Sequence, residues 1–274
     1  MLIEVDTRNK ERVTRPSLSI VIPVYKNYHM LDRCIESIDP HNVTIEVIIV
    51  DDTPNEEKQT IDLNRFDVEF QIRLFVNKRN RGVTYSRNKG YRLSIYDYVV
   101  FLDSDDMLVQ DAIINISNEI IMDDVLVALF RTKTKESFFV GSRCKRKVYY
   151  DSLGLLETYS LGECLVVVKR VSNARPFIGF YRGHELAGVL RFCNRIRHKK
   201  YILISEFVAR VYMDDNIESI SKGDNLRHRM DKLACGHMYV LKTIYLRKGI
   251  GVLFFTWGLR YLYRKSQAIL YRYV

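Results

Sequence analysis

The chain has 274 residues, a net charge of +10, 47% apolar and 28% charged residues. That length suits one large domain, or one with an appendage, at roughly 100–200 residues per domain, and the composition argues against a disordered chain. Five cysteines (Cys34, Cys144, Cys164, Cys193 and Cys235), odd in number and none at CxxC spacing, argue against a disulfide framework or zinc site and fit a reducing compartment.

Residues 1–16 read as a polar lead-in without the apolar segment of a signal peptide. Leu18–Val24 is a short β-branched run that reads as a buried strand. A helix capped by Asn27 follows, with Met30, Leu31, Cys34, Ile35 and Ile38 on one face. Ile45–Val50 reads as a second strand, Thr53–Phe66 as a helix entered through Pro54, Phe70–Val76 as a third strand, and Gly82–Ser94 as a helix. Tyr98–Leu102 is a fourth strand, followed by a helix over Val109–Met122. Strands alternating with helices predict an α/β fold with a parallel sheet, in which ligands bind at the carboxyl ends of the strands. Those ends carry Pro23-Val24-Tyr25, Asp51-Asp52 and Asp103-Ser104-Asp105-Asp106.

Beyond Val125 the pattern loosens. Strands are expected at Leu126–Arg131, Phe138–Tyr149, Cys164–Val168 and Tyr201–Val211, and a helix from His184 to Arg197. Two helices are expected after Leu226, broken at Lys248-Gly249.

Asp103-x-Asp105-Asp106 directly follows an apolar strand. Carboxylates so spaced can share a hard cation, Mn²⁺ or Mg²⁺, which compensates the charge of a diphosphate leaving group; an acidic turn capping the next helix would look the same. Asp51-Asp52 has two readings as well, an N-cap or an acceptor for a uracil imide and ribose hydroxyls. In Asn80-Arg81-Gly82-x-x-x-Ser86-Arg87-Asn88, Gly82 permits a tight helix entry and Arg87 can face a phosphate or base; an ordinary loop-to-helix junction is the alternative.

Taken in order, SIVIPVYKN (19–27), IIVDDTPNEE (48–57), NRGVTYSRNKG (80–90) and VVFLDSDDML (99–108) resemble the family 2 glycosyltransferases of the GT-A fold. The resemblance is strong over about residues 17–125. It implies a GT-A domain over 17–224, with a nucleotide-sugar-binding half (17–125) and an acceptor half (126–224). It also implies inverting sugar transfer from a nucleotide-sugar, UDP being the commonest carrier, in a polysaccharide or O-antigen type of pathway. Pro23, Tyr25, Asp51, Asp52, Arg87, Asp103 and Ser104 then line the nucleotide-sugar site, and Asp105 with Asp103 holds the metal. One departure is Thr53-Pro54, where the family often has Gly-Ser; both carboxylates are kept.

An inverting transfer needs a general base. The family places it at a helix start after an aromatic–glycine stretch, and the similar segment here is Gly179-Phe180-Tyr181-Arg182-Gly183-His184-Glu185. Glu185 takes the base position; His184 replaces the acid that often precedes it and could tune Glu185 or serve as the base itself. A first-turn helix acid is the plainer reading. Asp214-Asp215 is a second candidate pair.

Residues 225–274 hold ten Lys/Arg and one acid, a net +9 that leaves the first 224 residues at +1. Aromatics over Leu253–Tyr263, flanked by Arg247, Lys248, Arg260, Arg264 and Lys265, suggest interfacial amphipathic helices rather than a span, for which Gly249–Leu259 is short of the ~20 residues needed. A cytoplasmic enzyme, peripheral on the inner face of the plasma membrane and acting on a glycan or polyprenyl-linked glycan, would fit. A helix packed on the body with snorkelling basic side chains would also fit. Nucleic-acid binding is disfavoured by the acidic strand ends and the lack of a binding motif. A nucleotidyltransferase would carry a glycine-rich loop where Pro23–Asn27 stands.

Overall fold

The computed structural model describes residues 16–177, 185–196, 201–213 and 225–270. Leu18–Val24 (β1), Ile45–Asp51 (β2), Gln71–Val76 (β3) and Tyr98–Phe101 (β4) form parallel strands in the order β3-β2-β1-β4. β1, β2 and β4 are buried along their whole length. Both faces of the sheet are covered, which is why these runs are continuously apolar rather than alternating. Leu18, Ile20 and Ile22 enter one core with α1 (Tyr28–Glu36) and α3 (Ala112–Asp123). Val21 points the other way, into a core with α2 (Val83–Leu93) and α4 (Glu185–Arg195). α2 sits so close to β1 that a Cβ on Gly90 would lie 2.3 Å from Val21 Cγ1. A carboxylate is buried away from the strand ends in this half: Glu46 accepts from Ser19 Oγ at 2.6 Å, Arg73 Nη2 at 2.6 Å and the Ile95 N–H at 2.9 Å. Those three donors offset the cost of dehydrating it.

The second half continues the sheet with mixed directions. Leu165–Lys169 (β8) runs antiparallel to β4 and to Val127–Thr134 (β6), and β6 runs parallel to Ile202–Tyr212 (β9). Met107–Leu108 (β5) and Lys147–Tyr149 (β7) add antiparallel to β9. The α/β expectation therefore holds throughout, with the parallel part confined mainly to the first half.

Two expectations fail locally. Thr53–Phe66 is not a helix but two 3-10 turns, Asn55–Glu57 and Leu63–Arg65, with extended backbone at Lys58. The stretch offers no apolar face, since only Ile61 is buried after Thr53, so nothing rewards a longer helix. Phe138–Tyr149 keeps only β7 and a single bridge from Phe139 to Lys133. Gly141 turns at φ 77° and the following Arg and Lys side chains stay largely exposed. Ser152–Leu161, unassigned from the sequence, forms 3-10 turns that bury Leu153, Leu155, Leu156 and Leu161.

The two C-terminal helices are present as α5 (Asn225–Lys248) and α6 (Val252–Leu270), broken at Gly249 (φ 70°). Their inner face belongs to the body: Val240, Ile244 and Trp257 are buried in the same cluster as Val21 and Phe101. Arg247 ties α5 to the 3-10 segment through Ser152 Oγ (2.8 Å) and Asp151 (2.9 Å).

Candidate active site

The carboxyl ends of β1 and β2 form the first wall. Pro23 is buried at the end of β1, while Tyr25 just beyond is 40% exposed, with the Lys26 ammonium 5.4 Å from its ring centre. Asp51 and Asp52 are both buried, and their oxygens bind protein donors. Asp51 accepts from Tyr28 Oη (3.0 Å) and the Thr53 N–H (2.9 Å). Asp52 accepts from Asn77 Nδ2 (2.7 Å) and the N–H groups of Arg81 (2.8 Å) and Gly82 (2.6 Å). Asp52 thus clamps the loop that leads into α2, where Gly82 takes φ 85°. The carboxylates shape the wall through these bonds.

The acidic turn after β4 is the second wall. The Asp106 N–H closes it onto the Asp103 carbonyl (3.0 Å), and α1 braces it: Arg33 Nη2 donates to the Asp105 carbonyl (3.2 Å) and Ser37 Oγ accepts from the Leu108 N–H (3.0 Å). Ser104 is buried and Asp105 is half-buried. Asp106 points inward to Arg210 Nη1 on β9 (3.0 Å) and accepts the Met213 N–H (3.3 Å). Burial pushes the Asp106 carboxyl up to about 7, with Asp103 and Asp105 adding to the rise and Arg210 opposing it. Burial would likewise raise Asp103, but the Arg87 and Arg210 guanidinia overcome it and hold that carboxyl below its usual range.

Arg87, one turn into α2, joins this turn to the acceptor half. Its Nη2 donates to both Asp103 oxygens (2.7 and 2.9 Å) and its Nη1 to Glu185 Oε1 (2.6 Å), the first residue of α4. Burial disfavours the Arg87 charge, yet the two carboxylates push its pKa above the ordinary arginine value. Glu185 is half-exposed. Asp103, Arg87 and Glu185 line one cavity of about 460 Å³, together with Glu163 and Arg210. Its far wall is made by the C-terminal helices, through Met230, Leu233, His237 and Arg264.

The structure therefore brings Arg87, Asp103 and Glu185 together in one cavity; Asp105 lies in the same turn as Asp103 but is not among the cavity-lining residues. His184 and Asp214-Asp215 lie outside the described residues. Sequence reasoning missed Arg210 and Glu163. Arg210 left a trace, a lone cation inside the apolar run of β9, as did Arg131 in β6; that side chain is also buried and donates to the carbonyls of Leu161, Val140 and Ser142, fixing the loop before Glu163. Among the described residues no three His, Cys, Asp or Glu side chains converge as a ready-made metal cage. The donor set, one or two oxygen ligands beside an open cavity, fits a cation such as Mn²⁺ or Mg²⁺ that completes its shell with phosphate oxygens and water.

Comparison with known proteins identifies the family and the fold. The chain is 34% identical over 97 residues to an uncharacterised glycosyltransferase of Haemophilus influenzae, which covers 35% of this chain and 39% of that protein. It is 27% identical over 213 residues, 74% of the chain and 67% of the relative, to a GalNAc(5)-diNAcBac-PP-undecaprenol beta-1,3-glucosyltransferase of Campylobacter jejuni. The crystal structure of S. aureus TarS 1-349 in complex with UDP-GlcNAc superposes with a TM-score of 0.57 at 13% identity, over 81% of this chain and 66% of that one, which shows the shared GT-A fold. Residues 19–169 match the Glycosyl transferase family 2 profile. That span carries every strand end described above, from Pro23 through Arg87 to Asp106, and the chain belongs to glycosyl transferase family 2.

Proposed function

We propose that the protein transfers a sugar, with inversion, from a nucleoside-diphosphate sugar to a hydroxyl of a glycan or lipid-linked glycan. One observation carries this reading: Arg87 holds Asp103, at the donor end of β4, and Glu185, at the head of α4, in one cavity. The TarS relative has been solved with UDP-GlcNAc and the Campylobacter relative is named for a diphosphate-undecaprenol substrate, which favours a UDP-sugar donor and a lipid-linked acceptor. The acceptor hydroxyl gives its proton to Glu185 as its oxygen attacks the anomeric carbon. The new C–O bond forms on the face opposite the breaking bond to the diphosphate. Asp105, with Asp103 beside it, would hold a divalent cation, which when bound would compensate the charge of that leaving group. Arg87 keeps the base aligned with the donor end of the cavity.

Thermal-shift titration tests the donor half of this reading. UDP with Mn²⁺ is expected to raise the melting temperature, because a ligand that binds only the folded state stabilises it, and GDP, dTDP or CDP to raise it less. No shift with any nucleotide would sink the proposal.

The C-terminal hairpin supports a place at a membrane surface. No described helix is long and apolar enough to cross a bilayer. Yet Val252, Phe255, Leu259, Leu262, Ile269 and Leu270 are all exposed, from 48% to 84%, at the three-and-four spacing of a single helix face. Lys248 and Lys265 are exposed near it. An apolar stripe of this kind bordered by cations fits the interface of an anionic leaflet. The protein should co-sediment with phosphatidylglycerol vesicles more than with phosphatidylcholine ones, and Leu259→Glu with Leu262→Glu should release it; equal sedimentation of the double variant would refute the assignment.

A further inference from the structure

A second cavity, of about 860 Å³, lies between the start of α2, the loop over residues 172–177 and the end of α4. Four arginines line it: Arg81, Arg175, Arg191 and Arg195. No Asp or Glu does. Arg191 and Arg195 stand one turn apart on α4, where like charges repel. Among the described residues no carboxylate pairs with Arg175, Arg191 or Arg195, and Arg81 rests over the Tyr85 ring at 4.4 Å. In the first cavity, by contrast, Arg87 and Arg210 are both matched by acids. Arg81, Arg175 and Arg195 are exposed and Arg191 is half-buried, so the second cavity presents four cations and no acid to whatever enters it. Guanidinium forks suit phosphate oxygens, which they bind in pairs.

The two cavities share a wall. Phe177 lines both. It is fixed by Asn88, whose Nδ2 donates to the Phe177 carbonyl (2.7 Å) and whose Oδ1 accepts the Phe177 N–H (3.2 Å), and it carries the Arg87 guanidinium 5.4 Å from its ring centre. A molecule with its phosphate among the arginines has Phe177 between that phosphate and Glu185. An acceptor long enough to pass Phe177 would carry its hydroxyl toward Glu185.

We infer that the arginine cavity binds the phosphate or diphosphate of the acceptor. The inference rests on the glycosyl-transfer reading, and its test separates the two. Calorimetry with inorganic pyrophosphate in EDTA, where no cation assists the Asp105 site, should show binding to the wild-type protein. Arg191→Gln with Arg195→Gln should weaken it by at least ~10-fold, as loss of two charge-assisted contacts requires; both positions are solvent-accessible and glutamine is a good helix former. Arg175→Gln, in the loop, provides an independent variant with the same expected direction. UDP binding in Mn²⁺ should stay within about twofold in each variant; if UDP fails to bind even the wild type, it is the donor reading that falls. Tighter binding of geranyl diphosphate than of pyrophosphate would place the anion on a lipid-linked acceptor, whereas glycerophosphoglycerol binding as tightly as pyrophosphate would place it on a phosphodiester-linked glycan. Absence of pyrophosphate binding, or equal binding by wild type and all variants, overturns the proposal.

Discussion

Glu185→Gln is expected to lower kcat by about 10²–10⁴-fold, the usual contribution of a positioned general base, with the affinity for the nucleotide-sugar donor unchanged. The amide keeps the size of the carboxylate and can still accept from Arg87 Nη1, which now bonds Glu185 at 2.6 Å. Arg87 itself stays anchored by both Asp103 oxygens. What the variant loses is the capacity to take the acceptor proton. Steady-state kinetics with separate donor binding measures this directly. A parallel loss of donor affinity would show instead that Glu185 serves to hold Arg87 in place.

Asp105→Ala is expected to be nearly as severe, lowering turnover by roughly 10²–10³-fold, the scale of losing one electrostatic stabiliser of transition-state charge. Asp105 is the carboxylate that the family resemblance assigns to the metal, and it is half-buried; Asp103 is bound by Arg87 and Asp106 is buried against Arg210. Its removal should leave the turn intact, since the bracing bond from Arg33 goes to the Asp105 backbone carbonyl. The Mn²⁺-dependent part of UDP binding should disappear while the metal-independent part remains. Full activity in the variant would remove Asp105 from the metal site.

The contrast between these carboxylates marks how far the sequence could be read. Strands β1, β2 and β4 were legible because they are buried on both faces, and a run such as Leu18–Val24 admits little else. Their polar ends followed from the same fact. The placement of Glu185 was legible only through resemblance, since it meets Arg87 across 98 residues of chain. Arg210 and Glu163 were not read at all: their partners depend on β9 and β8 crossing to the acidic turn, a long-range pairing no local pattern encodes. The 53–66 segment misled because Pro54 after two acids imitates a helix entry, although the residues beyond bring no apolar stripe to the core. The hairpin break at Gly249 was plain, but nothing local announced that Met230, Leu233, His237 and Arg264 would close the cavity.

That last feature bears on how such a protein can diversify. The donor wall is encoded by residues 23–106 and the far wall by α5 and α6, more than a hundred residues later. The two share a core cluster, in which Val21 and Phe101 join Val240 and Trp257, but they bring different side chains to the cavity. Substitutions at Met230, Leu233 or Arg264 can therefore reshape what enters beside Glu185 without disturbing Asp52 or Arg87. Under the reading proposed above, preference for the activated sugar and preference for its recipient are inherited in separate stretches of one chain, free to drift at different rates.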